Sequence, residues 1–97
     1  MSTYAILRRG GWDNANELEE AARRSAAEGD RMIEQVSWIR SYVLNESDGS
    51  LGTLCIYDAS TPEAVRKHAE RAGLPVDEIV AVADLVVVRP DPASAVD

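Results

Sequence analysis

Five side chains in one hairpin, Trp38, Arg40, Tyr42, Cys55 and Tyr57, and a single histidine, His68, are the residues through which this chain could do chemistry. Aromatic walls around a guanidinium suit an anionic or carbonyl-bearing ligand. The same residue types are enriched where subunits meet. A guanidinium beside Cys55 would favour its thiolate, although a lone strand cysteine otherwise behaves as a small hydrophobe. His68 offers an imidazole that suits nickel and titrates near neutrality. Its plainer reading is a boundary histidine making one hydrogen bond. There is no CxxC, no Cys/His cluster and no HExxH, so the strong zinc and redox motifs are absent. Adjacent carboxylates such as Glu19-Glu20 fall on solvated helix faces. No base–nucleophile pair can be assembled, so no catalytic residue is assigned.

The elements that position these residues follow from their order. Across the loop Asn45-Glu46-Ser47-Asp48-Gly49-Ser50, where Asp-Gly supplies positive-φ turn chemistry, an unbroken register sets Leu44 opposite Leu51. Pairs then fall as Tyr42–Thr53, Arg40–Cys55 and Trp38–Tyr57. Side chains alternate with period two, so the candidate residues share one face. Ile39, Ser41, Val43, Leu54 and Ile56 take the other, which reads as core.

Upstream, residues 4–9 (YAILRR) predict a short strand ended by Gly10 and Gly11. Asp13, Asn14 or Asn16 caps a helix over residues 15–28, stopped by Gly29. Its inner stripe of Leu18, Ala21, Ala22 and Ser25 is small enough to sit close to a sheet. Glu19–Arg23 and Glu20–Arg24 are outer i,i+4 pairs worth about 0.2–0.5 kcal/mol each. Downstream, Thr61-Pro62-Glu63 opens a second helix, with Thr61 as N-cap and Ser60 as a competing cap. Val65, Ala69 and Ala72 form its apolar stripe, and Gly73 and Pro75 end it. Residues 79–88 (IVAVADLVVV) predict a nearly continuous buried strand. The domain is expected over residues 1–88, with 89–97 as a frayed tail.

The order βαββαβ predicts an α+β, ferredoxin-like fold: a four-stranded antiparallel sheet with two helices on one face. The other face, left bare, would be a sizeable apolar patch. Pairing two sheets about a twofold axis would cover it, which predicts a homodimer of the dimeric α/β-barrel type.

Composition sets further bounds. The 97 residues carry a net charge of −7, which disfavours nucleic acid and anionic membrane surfaces as partners. One cysteine makes an intrachain disulfide impossible and points to a reducing cytoplasm. The N-terminal residues contain no long apolar stretch, so neither a signal peptide nor a membrane span is expected. Gly10-Gly11 is not followed by a phosphate-binding pattern, and no organic cofactor is expected.

Four pieces in order, WIRSYV (38–43), LCIYDAS (54–60), PEAVRKHAERAGLP (62–75) and IVAV (79–82), resemble a bacterial family of small ferredoxin-like proteins that includes a streptomycete nickel-binding member. The resemblance covers residues 4–88. It implies a dimeric ferredoxin-like protein, nickel as a candidate ion with His68 as a ligand, and no established enzymatic activity. Two positions depart from the family pattern. Arg8-Arg9 stands where an acidic residue often precedes an arginine, and Arg40 where some relatives have histidine. The function expected is therefore a homodimeric metal-ion (nickel) or small-ligand binding protein. The alternatives are an enzyme acting on a small hydrophobic or anionic substrate between the sheets, with His68 or Tyr42 as acid/base, and a protein-interaction module.

Overall fold

The computed structural model describes residues 1–92. The chain runs β1 (Ser2–Trp12), α1 (Ala15–Arg31), β2 (Val36–Asn45), β3 (Leu51–Ala59), α2 (Pro62–Ala72) and β4 (Glu78–Ala81). The strands form one antiparallel sheet in the order β2-β3-β1-β4, and the fold is ferredoxin-like. Asn14 caps α1, accepting from the Glu17 amide at 3.0 Å. Thr61 caps α2, with Pro62 in its first turn and Gly73 closing it at φ +68°. The core gathers Tyr4, Ile6, Met32, Val36, Cys55, Tyr57, Ala59, Ala64 and Val65 between the sheet and the helices.

Two elements run past their expected stops. The helix α1 continues through Gly29 to Arg31, despite the ~1 kcal/mol that glycine costs in a helix. The extra turn delivers Met32 into the core, where it is buried, and the Met32 amide donates to Glu28 O and Gly29 O. The strand β1 likewise does not end at Gly10-Gly11. A bulge falls between Arg8 and Trp12, with Gly10 at φ +55°. Glu46 clamps it, accepting from the Gly10 amide at 2.7 Å and from Arg9 Nε and Nη2 at 3.0 and 2.9 Å. The glycines bend the strand, so Trp12 turns inward and is buried.

The last strand is shorter than expected. It ends at Ala81, and Leu85, Val86, Val87 and Val88 are exposed rather than buried. The cause is the lack of a partner. Tyr4 pairs with Ala81, and Val82 donates one more bond to Thr3 O, so a longer β4 would pass beyond the start of β1. Asp91 returns to the sheet and binds Arg40 and Tyr42. Residues 93–97 of the expected tail lie outside the described residues.

The hairpin register is the main correction. Trp38 does pair with Tyr57, but Arg40 pairs with Ile56, Ser41 with Cys55 and Tyr42 with Leu54, because β2 bulges between Trp38 and Arg40. One extra residue reverses the facing of everything after it. Arg40 and Tyr42 therefore sit on the open face, while Trp38, Cys55 and Tyr57 face the helices. The face read as core from Leu54 and Ile56 is the bare one. Trp38, Cys55 and Tyr57 stand opposite the small residues Ala21 and Ser25 of α1, and Tyr57 Oη shares a bond with Ser25 Oγ.

Candidate functional site

Beneath α1 lies a cavity of about 280 Å³. Its sheet side is made by Arg8 and Trp12 of β1, by Trp38, Ser41 and Val43 of β2, and by Thr53, Cys55 and Tyr57 of β3. Its roof is the predicted stripe of Leu18, Ala21, Ala22 and Ser25. Trp38 and Tyr57 stack with ring centroids 6.2 Å apart and planes 9° apart, which makes a flat aromatic wall. The hydroxyls on the lining already have partners. Ser25 Oγ and Tyr57 Oη share a bond of 3.0 Å, Trp38 Nε1 donates to Ser41 Oγ at 2.8 Å, and Cys55 Sγ donates to Thr53 Oγ1 at 3.4 Å. Ser41 and Thr53 accept in these bonds and keep their own O–H donors.

Arg8 is the exception. Only 1% of it is exposed, and none of its guanidinium nitrogens has an acceptor among the described residues. The β1 alternation Tyr4, Ile6, Arg8 turns it toward the helices, opposite Thr53. Its charge acts on two neighbours. Burial raises the Tyr57 hydroxyl pKa, opposed by the Ser25 hydrogen bond and by Arg8. Burial lowers the His68 pKa, and Arg8 lowers it further against the Ser25 carbonyl and Glu28.

The sequence candidates thus divide into three groups. Trp38, Cys55 and Tyr57 line the cavity. Arg40 and Tyr42 do not, since both hold Asp91 on the far face, and Arg40 is no neighbour of Cys55. His68 is buried in α2 behind Tyr57, at a ring distance of 5.4 Å and tilted 58°. Its Nε2 donates to Ser25 O at 2.9 Å, which leaves Nδ1 as a buried lone pair without a partner among the described residues. Reasoning from the hairpin missed Arg8, Trp12 and Ser25 as one constellation. The period-two run in YAILRR carried the signal for Arg8, whereas Trp12 depended on the bulge.

The buried imidazole has a pH signature. The native ring resists protonation while the unfolded chain takes a proton at about 6.5. Below that pH the unfolded state binds more protons, so stability is full above it and declines as pH falls, levelling once native His68 also protonates. Glu46, Asp48 and Asp91 have pKa values below the usual carboxylate range, so they titrate under this window. His68 is the sole histidine. The urea midpoint should fall between about pH 7 and about pH 5.5, and His68→Gln should remove most of that fall. An unchanged slope in the variant would place the titration elsewhere.

The described residues do not by themselves build a metal centre. Among the described residues no three His, Cys, Asp or Glu side chains converge. Two buried donors lack partners, His68 Nδ1 and Glu28 Oε2, a set too small for a nickel ion. No helix among the described residues is long and apolar enough to cross a membrane.

Comparisons with known proteins agree with the fold. No curated protein matches the chain. The crystal structure of SCO4226 from Streptomyces coelicolor A3(2) superposes with a TM-score of 0.69 at 25% identity, covering 88% of this chain and all of that one. The family model described as nickel responsive protein SCO4226-like matches residues 4–82, the span from β1 to the end of β4. With that match running through every strand and both helices, the chain belongs to the nickel-responsive SCO4226-like family.

Proposed function

We propose that this chain is a homodimeric, cytoplasmic small-ligand binding protein whose ligand lies in the cavity between α1 and the sheet. One observation carries the reading: an open, aromatic-walled cavity whose floor holds a buried cation without an acceptor among the described residues, the arrangement expected of a small-molecule site. Its volume is about twice the ~150 Å³ of an apolar cavity that holds one benzene. A second copy of the chain is the occupant proposed for the open sheet face. Ile39, Tyr42 and Val80 are exposed there, next to the exposed run Leu85, Val86, Val87 and Val88. A twofold axis sets the same patch on both subunits and covers it twice over.

Nickel binding through His68 is the second reading, favoured by the family's description and by the unpartnered His68 Nδ1 with Glu28 Oε2. Water or backbone oxygens would complete the coordination, because the partner proposed above lies across the sheet from His68.

Native mass spectrometry separates these readings. At tens of micromolar the protein should have the mass of a dimer and take up one 2-naphthalenemethanol per subunit. Ala22→Phe, which fills the roof, should abolish that uptake. A monomer overturns the dimer, and no adduct with either 2-naphthalenemethanol or its carboxylate counterpart 2-naphthoate overturns the pocket. With nickel ions added, bound metal that is lost in His68→Ala supports the second reading, and metal retained removes His68 from it.

A further inference from the structure

Among the described residues the cavity's lining holds one cation, Arg8, at its sheet side. Arg8 is 1% exposed, and its Nε, Nη1 and Nη2 all lack acceptors among the described residues. A guanidinium stays charged in proteins. Buried without a partner it is costly, and fork-shaped donors match a carboxylate's two oxygens. We propose that the pocket's ligand is a small carboxylate with a flat apolar body, its charge held by Arg8 and its body lying between the Trp38–Tyr57 wall and the small residues of α1. The proposal rests on the pocket reading above and adds the ligand's chemical class.

The lining decides between kinds of anion. Ser25, Ser41 and Thr53 are engaged with Tyr57, Trp38 and Cys55, so beside one cationic fork the site offers only neutral hydroxyls. A phosphate monoester carries a second charge that the lining's single cation would leave unanswered. A carboxylate spends its charge on the fork and needs nothing else. Glu19, the acidic residue on the lining, is exposed and paired with Arg23 at 3.3 Å, so it does not compete for Arg8. Attraction at long range is also absent, because the chain's net charge is −7. Selectivity for an anion must then come from the buried guanidinium itself, where low dielectric strengthens the contact.

Calorimetric titration with the matched pair 2-naphthoate and 2-naphthalenemethanol tests this. The wild-type protein should bind the carboxylate at least tenfold more tightly than the alcohol, a difference of about 1.4 kcal/mol. Arg8→Met should bring the two affinities together. Arg8→Lys keeps a point charge without the fork, so it should retain the preference at reduced affinity, whether or not Arg8→Met folds. Equal affinities in the wild type overturn the anion assignment and leave the pocket reading standing. Binding of neither probe overturns both. A carboxylate preference that survives in Arg8→Met removes Arg8 as the anchor.

Discussion

Arg8→Met is expected to raise the melting temperature of the protein without ligand. The substitution keeps an unbranched side chain of similar length and removes a charge that is 1% exposed and has no acceptor among the described residues. Replacing buried ionic groups with apolar ones of similar volume often stabilises by about 1–4 kcal/mol. At about 4–8 °C per kcal/mol for a domain of this size, a gain of about 2 kcal/mol is a shift that calorimetry resolves without difficulty. The order should reverse when 2-naphthoate is added. Ligand at about 100 times Kd stabilises the protein that binds it by about 2.7 kcal/mol, and the variant should gain little. A variant that melts lower than wild type in ligand-free buffer would mean that Arg8 already has a stabilising partner.

Tyr57→Ala should be among the most destabilising single changes in the chain. The ring is 1% exposed, stacks on Trp38, leans on His68 and bonds Ser25 through its hydroxyl. Truncating a buried aromatic costs about 3–5 kcal/mol, a large share of the ~5–15 kcal/mol that holds a domain together. Tyr57→Phe removes only the shared hydroxyl bond and should cost about 1 kcal/mol. Urea denaturation of the pair tests the hairpin facing directly. Had the Trp38–Tyr57 face been the outer one, as the sequence suggested, Tyr57 would lie open to solvent and both changes would be mild.

Much of the fold was legible because it depends on local chemistry. The caps, narrowed to Asp13, Asn14 or Asn16 for α1 and to Thr61 or Ser60 for α2, the proline at Pro62 and the glycine stop at Gly73 act within a few residues of themselves, so their signals sit side by side in the chain. Element order then restricts the topology, since βαββαβ with two amphipathic helices has few ways to bury both stripes. The small stripe Leu18, Ala21, Ala22 and Ser25 was readable too, and it became the roof of the cavity. The resemblance carried by residues 38–43, 54–60, 62–75 and 79–82 named the family that the comparison confirms.

Tertiary structure decided which face was which. A strand pattern gives two sets of side chains and no label for inside, and Trp38, Arg40, Tyr42, Cys55 and Tyr57 form one set only if the hairpin is unbroken. The bulge between Trp38 and Arg40 depends on what the flanking residues meet: Trp38 stacks on Tyr57 above the sheet, while Arg40 and Tyr42 reach Asp91 below it. The length of β4 was likewise settled by the strand it pairs with, since apolar residues at 85–88 cannot extend a sheet past the start of its neighbour. The sequence by itself determined the helices, their caps and the order of the layers, because those are set by neighbours in the chain. The burial of Arg8 with its charge unanswered was decided by packing, because only the closed sheet and helix bring Trp12, Trp38, Tyr57 and α1 around it.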